Sequence, residues 1–291
     1  MLLAACGTSE PGPAESRIVF TAFELPRINL FSMAADGSDL RRLTNGDTLR
    51  QFPSWSPGAR AIVFHSVPLG EFKREIYIME SNGSGMRKLS TGDSDDSEPE
   101  WSPDGSRIAF SSLPLDGNGN PAGEQRIWVM HPDGSNRTPL APGFAPSWSP
   151  DGSRLVFVRG LGGQETALFV MASDGSGATQ ITDPRPDADQ DQYPEWSPDG
   201  EYIAFSRLQF SQTVPATLML VRPDGSGLLA LSRPLIQGYQ PSWSPDGSEI
   251  VFSDGGDGQL KIISLADPAA IRLLGQGPSE FNESPNWSRE H

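Results

Sequence analysis

Six copies of one short signature, Pro-x-Trp-Ser, divide this chain at nearly even intervals. The tryptophans are Trp55, Trp101, Trp148, Trp196, Trp243 and Trp287, separated by 46, 47, 48, 47 and 44 residues. A proline stands two positions before each, at Pro53, Pro99, Pro146, Pro194, Pro241 and Pro285. Four copies continue as Trp-Ser-Pro-Asp-Gly, while Trp55 is followed by Ser-Pro-Gly and Trp287 by Ser-Arg-Glu. A period of this length marks a supersecondary unit that stacks on copies of itself. One catalytic site is not repeated six times, so Ser149, Asp151 and Ser153 are scaffold.

Each period reads as four short strands. The first carries Pro-x-Trp-Ser, and Pro-Asp-Gly then makes a tight turn, with Pro presetting φ, Asp capping and Gly taking the left-handed position. The second strand alternates, as in Arg107–Ser112 and Glu249–Asp254. The third is apolar, at 75–80, 126–130, 167–171 and 217–221. A second turn, Asp-Gly-Ser at Asp36, Asp133, Asp174 and Asp224 or Asn-Gly-Ser at Asn82, leads to a fourth strand ending in Leu-Thr or its like. Four antiparallel strands per repeat are the pattern of a β-propeller blade. The chain opens with second, third and fourth strands and ends with a lone first strand, Ser284–Ser288. The expectation is all-β: a six-bladed β-propeller of four-stranded antiparallel blades over 17–291. Its ring is closed by the C-terminal strand joining the N-terminal blade, which removes the sheet edges. The tryptophans are expected to be anchors packed between blades.

The repeated P-x-WSPDG-x-x-I-x-F-x-S, followed by the Asp-Gly-Ser turn and Leu-Thr, resembles the TolB-type, WD-like propeller repeat over residues 17 to 288. The resemblance is specific for fold and much less so for function. TolB carries an α/β domain before its propeller. Here about 16 residues precede the first strand, so its role in an envelope complex transfers only as analogy.

Leu3 to Cys6, Leu-Ala-Ala-Cys, resembles a bacterial lipobox, and Cys6 is the single cysteine of the chain. Residues 1–16 then read as a truncated lipoprotein signal, lipidated at Cys6, followed by the polar Gly/Pro/Ser tether of residues 7–16. The basic region and most of the apolar stretch of a full signal are missing, and a start further upstream would supply them. This implies an extracytoplasmic protein, in the periplasm or at the cell surface, held to the membrane by lipid alone. With one cysteine no intramolecular disulfide forms, and no apolar run downstream is long enough to span a bilayer. Lys and Arg number 22 against 37 Asp and Glu, a net charge of −15. That balance excludes nucleic acid as a partner, since phosphates demand a basic face. A monomer is expected.

Function is expected on the face that bears the long, dissimilar loops, Val67 to Arg74, Leu113 to Gln125, Thr91 to Glu98, Thr182 to Tyr193 and Ser232 to Gln240. That face reads as acidic, through Asp93, Asp95, Asp96 and Glu98 in one segment and Asp187, Asp189 and Asp191 in another. Asp116, Asn118 and Asn120 form a third such run. Oxygen ligands at alternate positions are what calcium loops use, so Ca²⁺ at Asp187, Asp189 and Asp191 is one reading. The glycine and glutamate positions of an EF-hand are instead Gln192 and Pro198. The blander reading is a solvated acidic surface that steers a basic partner. Phe52, Phe144, Tyr193 and Tyr239 lie just before the Pro-x-Trp strands, near the expected channel mouth, either as a ligand platform or as packing between blades.

Catalysis has little material. His65, His131 and His291 are too scattered to converge on a metal or a triad, and each reads as a surface residue. No Gly-x-Ser-x-Gly elbow occurs. The carboxylates Glu98, Glu100, Glu195 and Glu283 flank the inner strands, and a pair of them could serve a carbohydrate-active hydrolase or lyase. The sequence thus favours a non-catalytic binding module for an envelope protein or peptide, using the acidic loop face or the central channel. The carbohydrate-active enzyme is the alternative, and the only cofactor to consider is Ca²⁺.

Overall fold

A computed structural model describes residues 16–24, 26–68, 70–184, 189–209, 216–231, 238–274, 277–279 and 281–288. Cys6, Asp187 and His291 lie outside them. The described chain is all-β, and its one helical element is a single 3-10 turn at Pro57–Ala59.

The strands follow one another as antiparallel neighbours, four to a repeat. Ser94–Trp101 pairs with Ile108–Pro114, that with Arg126–Met130, and that with Thr138–Pro142. The same order recurs in the sheets that start at Thr48–Trp55, Phe144–Trp148, Asp189–Trp196 and Gly238–Trp243. For Arg17–Glu24, Arg27–Ala34 and Arg41–Arg42 the first-strand place is taken by Asn282–Trp287. That strand runs antiparallel to Arg17–Glu24, with Ile18 opposite Trp287.

Three recurring details explain the motif. First, the tryptophans fill the joints between successive sheets, each at most 8 % exposed. Trp148 packs with Ala109, Ile127 and Val129 of the preceding repeat and with Leu155 and Phe157 of its own. Second, the turn residues interlock from one repeat to the next. Ser149 Oγ donates to Asp151 Oδ1 at 2.6 Å, and the Ser153 N–H donates to the same oxygen at 3.0 Å. A Cβ on Gly152 would sit 3.4 Å from Pro103 of the previous turn. The Arg107 guanidinium lies 4.6 Å over the Trp148 ring, and Arg154 lies 4.7 Å over Trp196. Third, the Leu-Thr ending is a cap. The Leu43 N–H donates to the Leu30 carbonyl, and the Leu30 N–H donates to Thr44 Oγ1 at 2.9 Å. Ser90 and Thr182 accept from Ile76 and Leu168 in the same way.

Two expectations need correction here. The segments 91–98 and 182–193 are not loops throughout, because strands already start at Ser94 and Asp189. The second strands extend to meet them, so Ser94 pairs with Pro114 and Asp189 with Gln209. His65 is not at the surface. It lies inside the strand Ala61–Pro68 and is 2 % exposed.

Candidate functional site: a cavity ringed by left-handed residues

Every Pro-x-Trp strand breaks register just before its tryptophan. Against the second strand the shift falls between Gln51 and Ser54, Ser97 and Glu100, Phe144 and Ser147, Gln192 and Glu195, and Tyr239 and Ser242. Such bulges re-aim a side chain. The residue before the proline adopts left-handed backbone in all copies: Phe52, Glu98, Ala145, Tyr193, Gln240 and Ser284 have φ of 52°, 52°, 50°, 54°, 53° and 50°. Non-glycine residues rarely do so. Recurrence at every copy makes it a property of the repeat and not a local defect.

Those residues line one cavity of about 100 Å³, together with the prolines that follow them. The volume holds several water molecules. One layer further in, the residue between Pro and Trp also reaches the wall: Ser54, Glu100, Glu195 and Asn286. At five of the six copies the side chain at this position ties its repeat to the next by accepting from that repeat's tryptophan backbone N–H. Glu100 Oε1 accepts from Trp148 N at 3.2 Å, Ser147 Oγ from Trp196 N at 3.4 Å, and Glu195 Oε1 from Trp243 N at 3.5 Å. Ser242 Oγ accepts from Trp287 N and Asn286 Oδ1 from Trp55 N, both at 2.9 Å.

The mouth is aromatic and acidic. Phe52 and Tyr193, from the first and fourth copies of the signature, meet across the cavity with ring centroids 6.0 Å apart. Phe52 also stacks on His65 at 5.2 Å. Burial, with Arg74 nearby, pushes His65 down to about 3, so the ring is neutral at physiological pH. Its Nδ1 accepts the Glu98 N–H at 3.3 Å. Burial raises the Glu98 carboxyl above its ordinary value, partly offset by the Ser111 hydroxyl, which donates at 2.7 Å, and the Ala145 N–H at 3.0 Å. The Tyr193 phenol is pushed up to about 12 by burial first, then by Glu98 and Glu283.

Of the aromatic residues expected at the mouth, Phe52 and Tyr193 are there, and Tyr239 lines an adjoining cavity with Tyr193 and Glu283. Phe144 is not. It packs against the apolar core, and Ala145 takes the wall position, because the bulge aims the residue next to proline inward. Gln240 and Ser284 were overlooked at the sequence level. Their common offset of one residue before Pro is the signal that finds them.

The acidic loop face is the larger correction. Asp96 and Asp191 are wholly buried. Arg137 donates to Asp96 at 2.9 Å, and the Ser90, Ser94 and Ser112 hydroxyls each donate to it at 2.7 Å. Arg207 grips Asp191 through two bonds of 2.7 and 2.8 Å. Asp95 is paired with Arg74, Asp189 is 1 % exposed, and the exposed Asp93 accepts from Thr91. Asp96 and Asp191 are thus satisfied inside the sheets, where ionised groups need such partners. Among the described residues no group of three or more His, Cys, Asp or Glu side chains is placed to hold a metal ion. The Asp116 run stays a local turn, with the Asn118 and Asn120 N–H groups donating to Asp116 Oδ1. His131 is exposed beside Asn136.

Repeated four-stranded antiparallel sheets, tied at their innermost strands around a shared cavity, define a β-propeller. The sequence pattern of the TolB beta propeller domain matches residues 12–142 and again 140–291, and the chain belongs to that family. No curated protein matches the sequence. Among solved structures, TolB from Acinetobacter baumannii is similar with a TM-score of 0.76 at 18 % identity, covering 97 % of this chain and 69 % of that one. A protein from Agrobacterium tumefaciens assigned as TolB has a TM-score of 0.68 at 22 % identity, covering 92 % and 93 %. Oligogalacturonate lyase from Vibrio parahaemolyticus has a TM-score of 0.57 at 13 % identity, covering 89 % and 74 %. At these identities the likeness is one of fold.

Proposed function

We propose that this protein is a non-catalytic binding module, a six-bladed ring that engages an envelope protein or peptide at its central cavity. The observation that carries the reading is the ring of left-handed residues. A uniform backbone presents six different side chains to one cavity, which suits recognition of an irregular ligand. The pairing of Asn282–Trp287 with Arg17–Glu24 and the bond from Trp55 to Asn286 support closure of the ring. Cys6, carrying lipid, would hold the module outside the cytoplasm, and the tether would let it stand off the membrane. The binding face is the cavity mouth and not an acidic loop surface, since Asp96 and Asp191 are committed to arginines.

The test is affinity capture from the native host's envelope after mild cross-linking. The baits are the lipidated full-length protein and its Phe52→Ala/Tyr193→Ala variant. A stoichiometric protein or peptide retained by the first and lost from the second is expected. Identical captures from both baits would overturn the assignment of the site.

The second reading is a carbohydrate-active lyase or hydrolase, favoured by carboxylates on the cavity wall and by the likeness to oligogalacturonate lyase. It ranks lower because Glu100 and Glu195 already accept backbone amides. Glu98, on the wall of the central cavity and with its carboxyl held above its ordinary value by burial, is suited to proton donation. Turnover of oligogalacturonate, abolished by Glu98→Gln, would establish it.

A further inference from the structure

A second cavity adjoins the mouth behind Tyr193, and its chemistry is one-sided. Tyr239, Gln240, Ser253, Asn282 and Glu283 are among the residues of its wall. Glu283 is partly buried, and burial alone holds its carboxyl above the ordinary range. It has no hydrogen-bond or ion-pair partner among the described residues. Asp254, also on the wall, differs in being paired with Lys261 at 2.5 Å. Burial and Glu283 together raise the Tyr239 phenol too, so the negative charge is felt across the cavity.

Two oxygens beside the cavity are unpartnered as well, and Ser253 Oγ shares that state with Thr21 and Ser206 at the same offset of their repeats. Asn282 is fully buried and Ser253 is 2 % exposed, yet Asn282 Oδ1 and Ser253 Oγ have no hydrogen-bond partner. The orientation of the Asn282 amide is fixed by its nitrogen, which donates to the Ser279 carbonyl at 3.0 Å. Buried polar atoms left without partners are uncommon and call for a ligand or ordered water. The unmet groups are an amide oxygen, a hydroxyl and an uncompensated carboxylate, between two tyrosines. What the carboxylate lacks is a positively charged donor. A planar guanidinium offers several N–H donors in a fixed fork and stacks on aromatic faces, which an ammonium does less well.

We propose that this cavity receives an arginine side chain of the partner, with Glu283 as its counter-charge and Tyr193 and Tyr239 as its walls. The proposal rests on the binding-module reading and names the chemistry of the bound partner. It also gives the net charge of −15 a local use, since a basic ligand is steered toward such a protein.

The test uses the full-length protein with tyrosine ring protons observed by NMR. The probe is N-acetyl-arginine amide, and N-acetyl-citrulline amide is its neutral isostere. Saturable shifts of the Tyr193 and Tyr239 resonances with the arginine probe are expected, at least tenfold weaker with citrulline and at least tenfold weaker in Glu283→Gln. Tyr239→Leu, which keeps bulk but removes the ring, serves as a second variant and is expected to weaken binding as well. Citrulline binding equal to arginine, or undiminished binding in Glu283→Gln, overturns the proposal, as does the lack of any saturable shift. If the envelope partner is still captured by Glu283→Gln at wild-type yield, the arginine inference fails while the binding-module reading stands.

Discussion

The two ends of each Pro-x-Trp strand obey opposite rules. At the turn end the same contacts recur: Ser102, Ser149, Ser197 and Ser244 each donate to the Asp two residues on, at 2.6, 2.6, 2.5 and 2.7 Å. At the bulge end the backbone repeats but the side chains do not, running Phe, Glu, Ala, Tyr, Gln and Ser. The difference teaches where this fold stores stability and where it leaves room for chemistry. A turn that packs on the previous turn is constrained by its neighbour. The side chains aimed into the cavity make contacts that differ from copy to copy: Glu98 accepts from Ser111, Phe52 stacks on His65, and Gln240 accepts from Ser284.

Mutations at the two ends test that contrast. Trp148→Ala is expected to cost about 3–5 kcal/mol, because the ring is wholly buried at a joint and its removal leaves a void. Urea denaturation of the variant measures this directly.

Gly83→Ala comes next, at about 3 kcal/mol. Its φ is +87°, and a Cβ there would meet the Leu43 carbonyl oxygen at 2.2 Å, so strain and a backbone clash combine. Gly177→Ala, with φ +67° and nothing within 4 Å, isolates the conformational part and should cost about 1 kcal/mol. Equal losses at the two sites would remove interlocking of the repeats as a source of stability.

The two regions also titrate in different windows. His65 behind the mouth is held at about 3, against an ordinary 6.5, so the unfolded chain takes up its proton first. Its contribution is complete above pH 6.5 and declines as pH falls toward 3. Asp104 and Asp151 in the turns are held at about 2 against 3.8, chiefly by Ser102 and Ser149. Their contribution is complete above about pH 4 and is lost only on falling toward 2. Melting temperature measured from pH 7 to 2.5 should therefore drop first in wild type, while a His65→Asn variant stays level until about pH 4.

The smallest effects are expected at the mouth. Phe52→Leu and Tyr193→Phe should each change stability by about 0.5 kcal/mol or less. A loss at either site matching that of Gly83→Ala would mean the mouth is built for structure after all.

The repeat made the scaffold readable from the sequence. Identical residues at a fixed offset can only be doing identical things, so Trp148 and Asp151 declared themselves as joint and turn. The mouth was half readable. Phe52 and Tyr193 stand out as aromatics near the signature, and Phe144 takes the packing role also open to them, while Ala145 goes unmarked because a small residue gives no sign of a bulge. The acidic residues misled for a different reason. Asp96 and Asp191 look solvated when only neighbours in sequence are considered, and their arginines lie 41 and 16 residues away. Both stand three residues before the signature proline, as do Arg50 and Asn282, also buried. A polar residue kept at one offset of a repeat points inward.

The strand Asn282–Trp287 has one more consequence, for the order of events in the life of the chain. Its partner, Arg17–Glu24, emerges from the ribosome more than 250 residues earlier. Until Asn282–Trp287 is made, that early strand presents an open edge, with Ile18 and Phe20 uncovered. The nascent protein therefore passes most of its synthesis, and any export in an unfolded form, in a state prone to aggregation. Only synthesis of Asn282–Trp287 ends it.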